Sequence, residues 1–482
     1  VKSALLLLFG VVALTGCSKE DSSPDIVARV GDRMITMQEL QRAYTLHPVW
    51  KRNQTVLASY LTQLEELQRE KLYALEAERE GLDRDTLLQG YLRFLRQKEL
   101  IKGLYRREVL GRVQIKEAEE RAMYALQKKT VDAEFVMARD SVTCAMYART
   151  MAGTSVEGMV LPPDSSVRVG KRSQMTVGTI PPPFERDVMN GDINVIIGPK
   201  PFGDVYMAMK VVNWTRNVFM SENEFQSDRA RIDHLLRDRK ADTLARAYVI
   251  SMMKDSNLKL NGEVFWPLAG YFGKRVRDKQ ENPAPGQPVA VTSDELLLVQ
   301  GDVRNLAQQV LATHREGTLT VWEFVSTLAN MPGSMRPSVR TPLELKEAVG
   351  RVVRNQYFAR EAERQGLGSD SEVITDFAQQ RDGALSTAYY RSRRAKVYVT
   401  PEEVERFRKI SGLTENEVTV RFNMTALAID AKADSILRTE APALEARYTV
   451  FVDSAKIRAA LPAPDDRVKE NPVAITVREI FQ

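Results

Sequence analysis

The sequence predicts an α+β chain, mainly helical, in which a helical module occurs twice and a β-rich domain is inserted into the first copy. Three observations carry this. Apolar residues recur at three- and four-residue spacing over long stretches, the pattern of helices with one buried face. A passage running from residue 76 to residue 121 returns later in the chain at a constant offset. Between the copies, Val131 to Val212 reads as short strands around a proline-rich centre. With 482 residues, 43% of them apolar, the chain has material for three or four domains that each bury a core.

At the start, Lys2, the apolar run Ala4 to Leu14 and the string Leu14-Thr15-Gly16-Cys17 form a bacterial lipoprotein signal over residues 1–16. The run is too short for a permanent membrane-spanning helix. In lipoproteins that this tetrapeptide resembles, the cysteine becomes the lipidated first residue. That predicts lipid on Cys17, a polar tether over 17–25 and a place in the cell envelope. Ser18 resembles an outer-membrane-permissive residue, so the expected site is the outer membrane, facing the periplasm. Cys144 is then left alone, no intramolecular disulfide is available, and Cys144 is expected as a small core residue.

From Ile26 a strand runs to Val30, turns at Gly31-Asp32 and returns through Met34-Ile35. A helix follows at once, its start marked by the capping-box spacing of Thr36 and Glu39. Leu57, Tyr60, Leu61, Leu64, Leu72 and Leu75 continue at helical spacing, and another helix is expected from Thr86 to Leu110, completing a first segment over 26–128. Glu76-Ala77-Glu78-Arg79 with Gly81-Leu82 reappears as Glu361-Ala362-Glu363-Arg364 with Gly366-Leu367, an offset of 361 − 76 = 285. Tyr105-Arg106 and Glu120-Arg121 return at the same offset as Tyr390-Arg391 and Glu405-Arg406. Thr36 and Glu39 return as Thr320 and Glu323, at 284. So constant a register predicts a duplicated module whose second copy spans 301–412.

The β-rich insertion occupies 129–215. Ser221 and Glu224 cap a long returning helix that ends near Asp255, and Leu258 to Phe265 reads as a hairpin turning on Asn261-Gly262, which closes the first module over 219–265. Residues 266–300, with the Pro-, Asn- and Gly-rich stretch Glu281 to Val289, read as a linker. Thr400-Pro401-Glu402-Glu403 opens a further capped helix.

The 69 basic and 64 acidic residues are interleaved, with a net charge of +5, or +4 once Lys2 leaves with the signal. No basic stripe with aromatics is present, so no nucleic-acid partner is expected. The densest basic cluster, Arg391 to Lys396, reads as a solvated helix end. No metal-ligand spacing, phosphate-cradling glycine loop or G-x-S-x-G elbow occurs, so no metal or other cofactor is expected.

The strand–turn–strand entry "VARVGDRMITMQEL", the helical hairpin, the inserted β-rich domain and the returning helix resemble the SurA/PrsA group of periplasmic foldases, whose inserted domain is a parvulin-type (PpiC-type) peptidyl-prolyl isomerase. The ending Phe184-Glu185, Gly191-Asp192-Ile193, Gly198-Pro199, Phe202-Gly203 and Lys210-Val211 is similar to the parvulin closing pattern. The resemblance implies a SurA-like chaperone module with a parvulin-like α/β insertion. It also implies a first strand with a histidine that faces a second histidine on the last strand. This sequence puts Phe135 at the first position and has no histidine between Val205 and Val212. Its three histidines, His47, His234 and His314, lie elsewhere. Ile180, Phe184 and Phe202, with Phe135, are the candidates for a residual proline pocket. A second, degenerate or truncated parvulin-like region is expected over 413–482, opening either at Val418 to Phe422 or at Val477 to Phe481.

The function expected is a foldase or holdase that binds unfolded exported or outer-membrane polypeptides, with the isomerase activity doubtful. Candidate client-groove residues are Tyr44, Trp50, Tyr60 and Tyr73, and the seventeen methionines suit an adaptable surface. The alternatives are an active isomerase with an atypical pocket and a structural envelope lipoprotein that holds one partner.

Overall fold

Side-chain caps set many of the helix starts. Thr55 Oγ1 accepts from the Ala58 N–H at 3.2 Å, Asp85 Oδ1 from Leu88 at 2.9 Å and Asp140 Oδ1 from Thr143 at 2.8 Å, each satisfying a donor that the first turn leaves unpaired. The computed structural model describes residues 26–46, 55–163, 166–203, 205–274, 291–411 and 424–461. It is mainly helical, with small antiparallel sheets.

In chain order the elements begin with β1 (Ile26–Val30), β2 (Arg33–Thr36), α1 (Met37–Leu46), α2 (Val56–Arg79), α3 (Thr86–Glu108) and α4 (Glu117–Gln127). The insertion comprises β3 (Lys129–Ala138), α5 (Ser141–Gly153), β4 (Val167–Met175), α6 (Pro182–Asn190), β5 (Ile196–Phe202) and β6 (Val205–Arg216). Then come α7 (Glu222–Met253), β7 (Lys259–Leu260), α8 (Gly262–Phe272), α9 (Ser293–Asp302), β8 (Val310–His314), β9 (Gly317–Thr320), α10 (Val321–Ala329), α11 (Pro342–Arg364) and α12 (Ser371–Arg394). The chain continues with α13 (Pro401–Ser411), α14 (Met424–Arg447), β10 (Val450–Val452) and α15 (Ser454–Ala460).

The inserted sheet is antiparallel in the order β4-β3-β6-β5. One face packs Val136, Ala138 and Ala208 on Cys144, Ala148 and Met151 of α5, and burial raises the pKa of the Cys144 thiol. The other face packs Val131, Ala133, Met209 and Val211 against α6 and α7 through Phe184, Val188, Phe225 and Ile232.

Two smaller sheets, β10-β1-β2 and β7-β8-β9, are built alike. In each a tight two-strand entry is completed by a short strand that follows a long helix. Ala28, Arg29 and Val30 pair with Val452, Phe451 and Val450, and Ala312 and Thr313 pair with Leu260 and Lys259. The strand after α7 thus joins the second entry sheet, and the strand after α14 joins the first.

Several expectations are corrected here. Leu258 to Phe265 is not a hairpin: Asn261 Oδ1 accepts from the Glu263 N–H at 3.2 Å and starts α8, while Lys259-Leu260 pairs with β8. The described residues of 266–300 lie mainly in α8 and α9 rather than in a linker, and several are core. Leu268, Phe272, Leu296 and Val299 are buried with Leu311 and Phe324, and Thr292 with Glu295 forms a full capping box for α9. Glu281 to Val289 lies outside the described residues. In 413–482 the described part is helix, one short strand and helix. Leu427, Ala433, Leu437 and Leu444 are buried along α14, so the described residues 424–461 form no β-rich domain, and both proposed opening strands lie outside the described residues. At the end of α12, Arg393 pairs with Glu80 at 2.6 Å and lies 4.4 Å over the Tyr389 ring, and Arg394 pairs with Asp430. That basic run is therefore in part a tie between helices.

The repeated passages have the same local geometry. Glu76 pairs with Arg79 at 2.7 Å, and Glu361 with Arg364 at 2.6 Å. Gly81 and Gly366 both end their helices in the left-handed region, at φ 74° and 73°, and an added Cβ at either would meet nothing within 4 Å. An alanine there costs only backbone strain. Gly81→Ala and Gly366→Ala should each lower the free energy of unfolding in urea by about 1–2 kcal/mol. A change near zero at either position would contradict the assigned conformation.

Candidate functional site

A cleft of about 560 Å³ opens between α1, α2, α12 and α14. Ala43, Leu46, Leu67 and Leu437 supply apolar wall, Tyr73 and Tyr390 supply rings, and Arg42, Arg69, Arg438, Glu66, Glu70 and Asp434 supply charge of both signs.

At its base Lys71 is almost wholly buried, with Nζ 2.9 Å from Glu39 and 3.2 Å from Asp382. Arg33 reaches Asp382 at 3.2 Å and Glu78 at 2.7 Å, and Arg381 also pairs with Glu78. The network joins β2, α1, α2 and α12. Burial works against the Lys71 ammonium, but Glu39, Asp382 and Glu70 outweigh it, so its pKa lies above the ordinary value. Glu70 stands 3.9 Å from Lys71 with a third of its side chain open. Burial pushes its carboxyl up to about 7, only partly offset by Lys71.

A second cleft of about 240 Å³ lies between α3, α10 and α11, lined by Phe94, Ile101, Thr327, Met331, Met335 and Val352 together with Gln97, Lys98, Asn355 and Gln356. The two clefts are matched by position. Leu67 and Val352, Glu70 and Asn355, Phe94 and Gln379, and Ile101 and Ser386 are each 285 apart, as in 352 − 67, and Ala43 and Thr327 are 284 apart, with one member of every pair in each cleft. Lys71 and Asp382 correspond likewise to Gln356 and Gln97, so the ionic base of one cleft is matched by amides in the other.

Of the expected groove residues, Tyr73 lines the first cleft and stacks on Tyr389 at 5.4 Å. Tyr44 and Tyr60 stack on each other at 4.0 Å and are not in its lining, and Trp50 and His47 lie outside the described residues, as does Cys17. Lys71, Asp382 and the second cleft were missed. The signal was a charged residue in an apolar stripe: Lys71 follows Leu64 and Leu67 at helical spacing, and Asp382 precedes Leu385 and Tyr389.

The expected proline-pocket residues do not form one socket. Ile180 and Phe184 are buried in the core, whereas Phe202 is 38% exposed at the end of β5. Phe135 stands opposite Met209 on β6, and its ring fills the space over Gly170, where a Cβ would come within 2.6 Å of Cζ. Phe184 is wholly buried, with Lys200 Nζ 5.4 Å from its ring centre. Helix α7 is clamped over this side of the domain by Arg239, 2.5 Å from Glu185 of α6. His234 on α7 is exposed beside Asp238, and His314 is buried against Tyr357. A buried ion pair, Glu134 with Lys210 at 2.9 Å, belongs to the opposite face, where Lys210 also donates to the Met151 and Thr154 carbonyls.

Lys71→Met would leave Glu39 buried without its cation and Asp382 with Arg33 alone, and equilibrium unfolding should show a loss of about 3–5 kcal/mol. Glu70 gives a pH signature. Its folded pKa lies above its unfolded one, so its contribution is intact below pH 4.5 and is lost as pH rises through about 7. Melting curves should therefore show Glu70→Gln gaining on the parent between those values and holding a constant lead above; a gap that shrinks with pH would refute this. No protein-family model, curated protein or solved structure matches the chain.

Proposed function

We propose that the chain is a lipid-anchored extracytoplasmic holdase of the SurA/PrsA kind, built on a duplicated helical module, which binds unfolded exported or outer-membrane polypeptides. On this reading Cys17 carries the lipid and holds the protein in the outer membrane, facing the periplasm. The observation that carries it is the pair of position-matched clefts. One combines rings, aliphatic wall and both signs of charge; the other is lined by Phe94, Ile101, Val352 and two methionines. Unfolded chains present this mixture of apolar and charged side chains, and methionine adapts to varied shapes. Binding the unfolded chain lowers its free concentration by mass action, and with it the rate of aggregation, with no need for ATP.

The inserted domain is read as a parvulin-like fold that serves as scaffold. Twisting a prolyl amide requires a site that holds the twisted form better than either planar form. Phe135 occupies the first histidine position, Met209 stands opposite it, and Phe184 is closed off from solvent.

The chain from Ser18 onward should suppress aggregation of a denatured protein at stoichiometric amounts and leave prolyl isomerisation at its uncatalysed rate. Leu46→Asp and Met335→Asp, at exposed positions lining the first and second clefts, should each weaken suppression several-fold while far-UV circular dichroism stays unchanged. Isomerisation above background would replace this reading with an active isomerase. Failure to suppress, with capture of a single stoichiometric partner from envelope extracts, would replace it with a structural lipoprotein.

A further inference from the structure

The ends of the two central strands of the inserted sheet carry a like-charged pair. Lys129, opening β3, stands directly opposite Arg216, closing β6, and like charges at opposed positions repel. Nearby acids are engaged elsewhere: Asp132 accepts from the Gln174 N–H at 2.8 Å, Glu222 pairs with Arg121 at 2.9 Å, and Glu224 with Lys128. Among the described residues neither Lys129 nor Arg216 has an ion-pair partner, although the Lys129 ammonium donates to the Met189 carbonyl. Burial first, and the Arg216 charge second, hold the Lys129 pKa below its ordinary value, with Asp192 offsetting in part.

Beside this pair the apolar side chains point outward. Trp214 is 44% exposed, with Lys129 Nζ 4.8 Å from its ring centre, and Val218, Phe219 and Met220 are 74%, 82% and 58% exposed. The segment is nonetheless held in place. The Asn217 N–H donates to the Lys128 carbonyl at 2.9 Å, the Phe219 N–H to Asn217 Oδ1 at 3.0 Å and the Tyr124 hydroxyl to the Ser221 carbonyl at 3.3 Å. Side chains exposed to this degree protrude; the wall of a peptide groove would be covered on one flank.

We propose that this tip is a membrane contact in its own right, independent of lipid on Cys17, in which Trp214 and Val218 to Met220 enter the bilayer interface while Lys129 and Arg216 meet anionic lipid headgroups. Indole rings favour the headgroup level, and apolar side chains next to cations favour the boundary beneath it. Headgroup anions also relieve the repulsion between the paired cations. An exposed apolar tip flanked by two cations without carboxylate partners matches an anionic leaflet better than it matches an extended polypeptide.

The test is sedimentation of the unlipidated chain from Ser18 onward with vesicles of phosphatidylcholine, alone or with added phosphatidylglycerol. The chain should sediment with the anionic vesicles, and less so as salt is raised. Arg216→Gln should lower that affinity about fivefold, the value of one cation near such a surface. Phe219→Glu should abolish it with an unchanged circular dichroism spectrum. Absence of vesicle binding by the parent, or undiminished binding by Phe219→Glu, would overturn the proposal. So would a parent that retains a denatured polypeptide through Phe219 but ignores vesicles, since the tip would then be a client site.

Discussion

The buried ammonium of Lys71 is the constraint around which the helical body is arranged. An unpaired cation at that depth costs several kcal/mol, so its carboxylates have to be delivered to it. Glu39 comes from α1 and Asp382 from α12, at 2.9 and 3.2 Å, which fixes both helices against α2 although more than three hundred residues separate Lys71 from Asp382. The cleft lies above this junction. Where the repeat places Gln356 and Gln97 instead, cation and anion are both replaced by neutral amides. The cleft there is lined by Phe94, Ile101, Val352 and two methionines among amides, Thr327 and Lys98, with no carboxylate in its lining.

The same demand for carboxylates explains why similar helix starts behave differently. Thr320 and Glu323 form a complete capping box, with the Glu323 carboxylate accepting from the Thr320 N–H at 2.8 Å. At the matched start, Thr36 still accepts from the Glu39 N–H at 3.1 Å, but the Glu39 carboxylate is turned to Lys71. Glu224, expected to cap α7, accepts instead from the Tyr124 hydroxyl at 3.0 Å and from Lys128. A capping glutamate yields when a tertiary cation is in reach, since an ion pair that satisfies a buried charge outweighs one exposed backbone donor.

Local pattern was therefore a good guide to where elements begin and a poor guide to what they touch. The strand from Ile26 to Val30, the helices around residues 56–79 and 86–108, and the matched glycines at 81 and 366 were all legible, because spacing, caps and turn residues are short-range properties. The partner of Lys259-Leu260 was not legible, since two residues carry no register signal of their own, and the hairpin reading took Asn261 for a turn when its side chain caps a helix. The fit of Phe135 over Gly170 was equally hidden. A glycine in a strand marks a close approach, but only the folded sheet shows that the approaching group is the Phe135 ring.

Helix α7 ties these features together. Its 32 residues run about 48 Å at 1.5 Å per residue. The first half buries Phe225, Ile232 and Leu236 with the inserted domain. Farther on, Tyr248 packs near Phe358 of α11 at 6.1 Å between ring centres, and the chain then delivers β7 to the second entry sheet. Lifting α7 away to uncover the buried rings of the inserted domain would strain both the Arg239 to Glu185 clamp and the β7 to β8 pairing. The closed face is thus maintained by the path of the whole chain. Placing a histidine at position 135 alone would leave Phe184 buried under the same cover.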